Sequence, residues 1–251
     1  MFGNLFEIIF YQPVLNLLVF LYNQVGDLGI AIILLTIVVK LIFWPLSQKS
    51  TKSQLAIQGI QTELNELKKK YADNKEALGQ ATLELYKKHK INPFSSCLPL
   101  LIQLPFIYAI FRALRVGLTK DLGLVYSFIE PATEISSISF GVDLGKSVVV
   151  LAVLAGLAQF VQSKMMLKNQ PKPTTPSTQT EGSGMENMTA IMSKQSTYLF
   201  PIMTVIFGMS LPGGLTLYWF VFTLLTLLQQ FLIQKKQDRG PIEGVVVSEE
   251  K

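Results

Sequence analysis

The residues that most often build catalytic and metal sites are nearly absent from this sequence. It contains one cysteine, Cys97, and one histidine, His89. A single cysteine excludes a disulfide framework, and a metal site made of paired Cys or His ligands has no support. A Ser/His/Asp catalytic site is equally unsupported, because acidic residues are sparse inside the apolar runs. We therefore expect no enzyme activity, no bound metal and no cofactor.

Charged residues are scarce as well. They make up 16% of the chain, whereas about a quarter is usual for a soluble domain. Hydrophobic residues reach 49% and gather in long runs, which indicates an integral membrane protein. The net charge of +5 comes from lysines between these runs, a pattern typical of cytoplasmic loops and not of a nucleic-acid surface. Residues 1–27 have no Lys or Arg, so neither a secretory signal nor a mitochondrial presequence is indicated.

Five apolar runs are candidates for crossing a bilayer, which takes about 20 residues of helix. They are residues 28–46, 97–117, 147–163, 198–211 and 214–234. The fourth run has roughly 14 residues, or ~21 Å of helix against a hydrocarbon core of ~30 Å, so the bilayer around it should thin. Only Pro212 and Gly213 separate the last two runs, which predicts an antiparallel hairpin.

Lysine counts predict the orientation of these runs. Residues 47–96 hold nine lysines against five acids, and residues 164–194 hold four lysines. Residues 1–27 hold none, and residues 120–146 hold two lysines against four acids. Because cytoplasmic loops are enriched in Lys and Arg, the N-terminus should lie outside and the C-terminus inside. The predicted fold is therefore an all-α integral membrane protein with five transmembrane helices.

The segments between the runs complete the predicted organisation. Residues 1–27 contain a helix that Pro13 interrupts and that should lie in the outer interface. Residues 47–92 form a cytoplasmic hairpin with helices at 48–70 and 74–90 and a capping box from Asp73 to Glu76. Gly79 weakens its second helix, so we expect the hairpin to be mobile. The other segments are an extracytoplasmic loop (118–146), a cytoplasmic loop (164–197) with a disordered linker (169–184), and a cytoplasmic tail (235–251).

Polar side chains inside the runs concentrate in the cytoplasmic half of the predicted membrane. Lys40 either snorkels to the inner surface or faces a water-filled protein cavity. The Gln and Thr side chains suit hydrogen bonds between helices as well as a polar groove, and Trp219 also suits an interfacial aromatic belt. The candidate groove residues are Thr36, Lys40, Gln103, Gln159, Trp219, Thr223, Thr226 and Gln230.

Several stretches resemble segments of the YidC/Oxa/Alb family of membrane protein insertases. The longest are LGIAIILLTIVVKLIFWPLSQKS, INPFSSCLPLLIQLPFIYAIFRALR and LFPIMTVIFGMSLPGGLTLYWFVFTLLTLLQQ, and SFGVDLGK and AQFVQSKMM are similar as well. The resemblance implies five transmembrane helices around a hydrophilic groove that is open to the cytoplasm and to lipid. It also implies insertion of nascent membrane proteins into the lipid bilayer of the bacterial cell membrane. The ribosome and a Sec translocon are further candidate partners.

The resemblance also assigns positions in the groove. The family carries a basic residue in the first of the five helices, which is Lys40 here, where the family commonly has Arg. Ser96 stands where the family has Gly. Because the first run begins at residue 28 and no lipobox cysteine precedes it, we expect a minimal form without a large extracytoplasmic domain. The other matching groove positions are Thr36, Gln103, Gln159 and Trp219.

Two other classes of function stay open from the residues. A small-solute transporter or channel would need a midplane site, usually with repeat symmetry between two halves, and the sequence shows no such repeat. A passive membrane scaffold would not depend on the polarity of the groove residues. Insertion of client proteins is the leading hypothesis.

Overall fold

The computed structural model of the protein describes residues 5–72, 74–92, 98–117, 122–130, 135–167 and 198–237. The predictions for Asp73, Ser96, Cys97 and the linker 169–184 fall outside these ranges. Most of the described chain is helical, and its one sheet is a two-stranded hairpin. The helices are α1 (Gln12–Val25), α2 (Leu28–Ile42), α3 (Trp44–Gly59), α4 (Gln61–Lys70), α5 (Lys75–Lys88), α6 (Leu98–Arg112), α7 (Val149–Leu167), α8 (Phe200–Ser210) and α9 (Gly213–Gln237).

Shorter elements adjoin these helices. A π-helical turn, Glu7–Tyr11, leads into α1, and a second one, Ala113–Gly117, extends α6. A 3-10 turn covers Leu122–Leu124. Strands β1 (Ile138–Ser139) and β2 (Val142–Asp143) pair antiparallel across a two-residue loop.

Several helices have the length and composition of membrane spans. Within the described ranges these are α7, α9 and the continuous helix Glu7–Val25, and α2 with α3 adds a fourth if the bent pair is counted as one span. Helix α8 is apolar but only 11 residues long, in line with the predicted short fourth run. The chain is therefore a mostly helical protein with three to four candidate spans.

The first apolar run ends earlier in the structure than the predicted limit at Leu46. Asp27 caps the start of α2, because its side chain accepts a hydrogen bond from Ile30 N at 2.9 Å. The helix ends at Ile42. Helix α3 then leaves at an angle of 69°. The bend has a cause in sequence, because Pro45 has no N–H to donate and its ring would clash with the carbonyl of Leu41 in a straight helix. The last residues of the predicted run thus belong to α3.

The N-terminal helix continues through Pro13, which corrects the predicted interruption. The π-helical turn Glu7–Tyr11 directly precedes it, and the wider turn accommodates the proline ring. One face of the helix, with Leu15 and Leu18, is buried in the main hydrophobic core. Asn16 fastens it to the segment after α6, since its amide nitrogen donates to Leu124 O at 3.0 Å and its amide oxygen accepts from Tyr126 N at 2.6 Å. Placement of this helix in the interface stays a prediction.

The predicted cytoplasmic hairpin is present with different boundaries. Its first helix is divided at Ile60 into α3 and α4, and Asn74, not Asp73, caps α5 by accepting from Ala77 N at 3.0 Å. Helices α4 and α5 share a small core of Ile60, Leu64 and Leu85. His89 Nε2 lies 3.0 Å from Glu63 Oε1 and so joins the end of α5 to α4.

Helices α2 and α9 run in the same direction, which positions the candidate site. The β-hairpin holds both of their starts: Ser139 Oγ accepts from Gly29 N at 3.2 Å, and Leu144 O accepts from Gly214 N at 2.9 Å. Near the end of α2 and midway along α9, Lys40 contacts Thr226. Helices α8 and α9 meet at their shared turn, where Thr216 Oγ1 donates to Gly208 O, although the main partner of α8 is α7.

Candidate functional site

Lys40 is the centre of a buried polar cluster between three helices. Its side chain is only 2% exposed, although it lies in the last turn of α2. The ammonium donates to Thr226 Oγ1 on α9 at 2.9 Å and to Ser47 Oγ on α3 at 3.3 Å. It also lies 4.6 Å from the ring centroid of Phe222, within the range of a cation–π contact. Lys40 is thus held by hydroxyls and an aromatic ring and does not snorkel away from the protein.

The bend after α2 supplies the second half of this cluster. It turns α3 so that Ser47 Oγ can donate to Gln229 Oε1 at 2.7 Å. Gln229 is fully buried, and its amide donates to Trp44 O at 3.3 Å. The Lys40 cluster, defined as Lys40, Ser47, Phe222, Thr226 and Gln229, therefore joins α2, α3 and α9 through side chains.

The sequence prediction did not include Ser47, Phe222 or Gln229, and the reasons for missing Ser47 and Gln229 can be identified. Ser47 follows the predicted first run, so only the bend at Phe43 brings it back to Lys40. Gln229 stands beside Gln230, and the spacing from Trp219 favoured Gln230. A helical spacing that starts from Phe222 would instead have predicted Thr226 and Gln229 on one face, since residues three or four apart share a helix face.

The other predicted groove residues fall into two groups. Thr36 is buried one turn before Lys40 and donates to Ile32 O at 2.6 Å, and Thr223 donates to Trp219 O at 2.9 Å, so both hydroxyls satisfy their own helices. Gln103 instead joins two helices, because its amide donates to the buried Tyr218 hydroxyl at 2.9 Å. Gln103 thus forms a hydrogen bond between helices, which is the role that the sequence left open as an alternative to a place in the groove.

Three predicted residues, Gln159, Trp219 and Gln230, have side chains that do not contact Lys40 within the described part of the chain. Gln230 is buried, and within the described part of the chain its Oε1 has no hydrogen-bond partner. Gln159 is half-buried on α7, and no hydrogen bond among the described residues joins it to Lys40. Trp219 is likewise half-buried, on the same helix as Thr226.

The chemistry of the cluster suits reversible binding of an anionic group. An ammonium away from water is costly unless polar groups compensate it, and hydroxyls compensate less well than a carboxylate does. Thr226 and Ser47 each have a second partner, Phe222 O and Gln229, and so stay satisfied if Lys40 turns away. Across the described ranges, no group of three His, Cys, Asp or Glu side chains is placed to hold a metal ion.

Comparison with known proteins identifies relatives of the chain. Residues 20–240 match the family of the 60Kd inner membrane protein. A Fusobacterium nucleatum protein named membrane protein insertase YidC is 35% identical over 90% of this chain and 97% of its own length. A Pelobacter propionicus protein of the same name is 37% identical over 89% of this chain, which spans 38% of that relative.

A solved structure supports the same relationship. The crystal structure of an active YidC insertase with its first transmembrane domain resolved matches with a TM-score of 0.55 and 26% sequence identity. The match covers 89% of this chain and 45% of that one. The chain therefore belongs to the 60Kd inner membrane protein family and is an integral protein of the bacterial cell membrane.

Proposed function

We propose that this protein inserts nascent membrane proteins into the lipid bilayer, through a hydrophilic groove that opens to the cytoplasm around Lys40. The relatives named as insertases support the activity. The observation that carries the site is the buried ammonium of Lys40 between α2, α3 and α9. Such a charge is rare at membrane depth and usually marks a functional site.

The proposed topology has five spans with the N-terminus outside and the C-terminus inside. The lysine asymmetry supports this orientation. The parallel course of α2 and α9 supports the number of spans: if they are the first and the fifth, three spans lie between them, and because the direction of crossing alternates, both run the same way. In this topology the β-hairpin lies outside and the Lys40 cluster lies toward the cytoplasm.

Topology is testable with single cysteines and an impermeant thiol reagent on intact cells. A cysteine in place of Ser136, which is exposed, should react from outside, and one in place of Asn65 should react only after the membrane is opened. Reaction of the Asn65 position in sealed cells would refute the orientation and with it the depth assigned to Lys40.

Lys40 would act by recruiting the polar segment that a client must carry across. A client carboxylate can replace the Ser47 hydroxyl at the ammonium, because a charged acceptor makes a stronger hydrogen bond than a neutral one. Ser47 would then keep its bond to Gln229. This exchange would open α3 away from α2 at the bend without unfolding either helix.

The apolar segment of the client would travel along the outer faces of α7 and α9. Both helices expose large apolar side chains: Val153, Leu157 and Val161 on α7, and Leu224, Leu228 and Phe231 on α9. Helix α8, with 11 residues, is too short for a ~30 Å hydrocarbon core and would thin the bilayer beside them. A thinner membrane lowers the cost of moving a polar segment across.

The cytoplasmic hairpin is the proposed docking site for the ribosome, with a Sec translocon as a further partner. Helix α4 ends in Lys68, Lys69 and Lys70, and α5 ends in Lys87 and Lys88. Lys68 is half-buried, which lowers its pKa, whereas the other four lysines are exposed and present the charge of this surface.

Reconstitution tests the whole proposal. Purified protein in liposomes should insert a short single-span client, scored by protection of its translocated segment from protease. Liposomes that contain the Lys40→Arg variant should insert the client to a similar extent. Liposomes that contain the Lys40→Glu variant should fail to insert an acidic client. Protection no greater than in protein-free liposomes would refute insertase activity, and equal insertion by all three proteins would favour a groove-independent scaffold.

A further inference from the structure

The tip of the β-hairpin exposes apolar side chains to an unusual degree. Ile138 is 63% exposed, Phe140 is 67% exposed, and Val142 is also exposed. We call these three residues the hairpin tip. Apart from the tip, the hairpin is anchored: Ser139 is buried, and Asp143 accepts hydrogen bonds from Ser137 Oγ and Gly145 N.

The backbone at the tip makes the aromatic residue more surprising. The two loop residues, Phe140 and Gly141, have φ values of 51° and 75°, as in a type I′ turn. Gly or Asn is favoured at such positions, whereas a bulky side chain in the left-handed region is strained. Phe140 therefore stands where the backbone geometry disfavours a bulky residue. We expect its ring to make an interaction that offsets this strain.

Packing within the protein accounts for only part of the ring. A Cβ added to Gly29 would lie 2.8 Å from Phe140 Cε2, so one edge of the ring covers the start of α2. The other two-thirds of the side chain has no cover in the protein. Burying the remainder in an apolar medium would supply the missing compensation.

The surroundings of the tip identify that medium. The hairpin is bonded to the starts of two membrane helices, through Gly29 on α2 and through Gly213 and Gly214 on α9. Ile30, beside Gly29, is exposed and apolar, and Val149 and Val150 continue the apolar surface at the start of α7. The tip thus lies at the level where α2 and α9 begin, and in a membrane the exposed apolar side chains there would face lipid.

We propose that Ile138, Phe140 and Val142 form a lipid anchor, which inserts into the boundary between headgroups and acyl chains at the starts of α2 and α9. The anchor would hold the hairpin against the bilayer, and the hairpin in turn clamps the two helices. This role is independent of client insertion, because it concerns the end of the helix pair opposite Lys40.

Nitroxide labels measure the depth of the tip directly. Single cysteines at Ile138 and at Val142, in a Cys97→Ser background, would be labelled and reconstituted in vesicles of phosphatidylethanolamine and phosphatidylglycerol. The nitroxide at each site should collide more often with oxygen, which concentrates in lipid, than with a water-soluble nickel chelate. A label at Lys146, an exposed side chain just beyond the hairpin, is the matched control and should show the opposite preference.

Two outcomes would overturn the proposal. Nickel contact at the tip equal to that at Lys146 would place the tip in water. Shielding of the tip from both reagents would show that protein covers it, as in contact with a second copy. Both measurements are made on the full chain and do not depend on insertase activity.

Phe140→Asn separates the lipid contact from packing on Gly29. Asn suits the left-handed backbone, so thermal stability in detergent should be unchanged or higher. In vesicles, the label at Val142 should move toward water, with a nickel-to-oxygen ratio closer to that of Lys146. Lower stability in detergent together with unchanged label depth would assign the ring to protein packing and overturn its role as an anchor.

Discussion

The two ends of the α2–α9 pair are held by different chemistry. At their starts, backbone N–H groups of both helices donate to the hairpin segment: Gly29 N to Ser139 Oγ at 3.2 Å, Gly213 N to Lys146 O at 2.7 Å and Gly214 N to Leu144 O at 2.9 Å. Where α2 ends, midway along α9, the contacts are between side chains, centred on Lys40 and Thr226. Backbone bonds in close packing fix one arrangement, whereas side-chain bonds can exchange partners while both helices stay folded. The pair is thus fixed at one end and adjustable at the other, as the proposed insertion requires.

The largest expected effect comes from reversing the charge at the adjustable end. Lys40→Glu should reduce insertion of a client with an acidic translocated segment by roughly tenfold or more, which corresponds to about 1.4 kcal/mol. The reason is that like charges repel strongly in a site of low dielectric constant. The measurement is the initial rate of protease protection in liposomes, compared between acidic and neutral clients.

Two further variants at the same position calibrate that effect. Lys40→Arg keeps the charge and should retain insertion, and Lys40→Ala should fall between Arg and Glu. Stability of Lys40→Ala should be unchanged or improved, because Ser47 and Thr226 each keep another hydrogen bond. If Lys40→Glu inserts acidic and neutral clients at wild-type rates, the adjustable end has no role in recognition.

The fixed end should be far more sensitive to a single methyl group. In Gly213→Ala the new Cβ would lie 2.6 Å from Val148 Cγ2 and 3.1 Å from the backbone oxygen of Lys146. Since a backbone carbonyl cannot move aside without breaking its bond to Gly213 N, we expect a loss of about 1–3 kcal/mol in the free energy of unfolding. Denaturant unfolding in detergent measures it.

Gly79→Ala is the matched control for this change. A Cβ at Gly79, in the interior of α5, would meet nothing within 4 Å. It should raise local stability by roughly 0.5–1 kcal/mol, because alanine favours a helix over glycine. Equal stability losses for the two substitutions would contradict the idea that the starts of α2 and α9 are the fixed end.

The stability of the fixed end should depend on pH through the Asp27 carboxyl. Burial raises the pKa of its carboxyl, but hydrogen bonds from Ser139 and from the backbone N–H groups of Ile30 and Gly29 outweigh this, so the pKa is lowered overall. The stabilisation is therefore present above the unfolded pKa of about 3.9 and is lost as pH falls through the folded value. Below about pH 4 the wild-type protein should lose stability at this contact.

Two substitutions at Asp27 separate charge from capping. Asp27→Asn keeps an oxygen for the cap and should lose stability less steeply with acid than wild type, as thermal unfolding in detergent at several pH values would show. Asp27→Ala should cost about 1 kcal/mol at neutral pH, because the cap of α2 is lost. Parallel pH profiles for wild type and Asp27→Asn would mean that the carboxylate contributes nothing here.

Much of this architecture is predictable from sequence because apolar runs report helices directly. The starts of α2, α7 and α9 fall within two residues of the predicted limits, and the face with Thr36 and Lys40 is buried. The bend at Phe43 is harder to foresee, since the residues on both sides of it are apolar and only Pro45 marks it. A hydropathy pattern records which residues avoid water but not where a helix changes direction.

The candidate site was only partly predictable for the same reason. Lys40 and Thr226 stand out as polar residues inside apolar runs, and the structure brings them together. Ser47 reaches Lys40 only through the bend, and the hairpin contact between Ser139 and Gly29 spans 110 residues of sequence. Such contacts depend on tertiary packing, which periodicity within one helix does not contain.

The smallest expected effect distinguishes two threonines on α9. Thr226 Oγ1 accepts from Lys40 at 2.9 Å and donates to Phe222 O, whereas Thr223 Oγ1 donates to Trp219 O within its own helix. Thr226→Val should therefore cost roughly 0.5 kcal/mol, at the low end for a hydrogen bond, because Lys40 keeps Ser47 and the Phe222 ring. Thr223→Val removes a bond of the same kind within α9 but no contact with Lys40.

The two valine variants should thus differ in function more than in stability. If the Lys40 cluster is adjustable, Thr226→Val loosens the ammonium and should change the preference for acidic over neutral clients by about twofold, while Thr223→Val leaves it unaltered. The measurement is the ratio of insertion rates for the two clients in the same liposomes. A change of equal size in both variants would show that hydroxyls anywhere along α9 matter alike, and that contact with Lys40 is not what sets client preference.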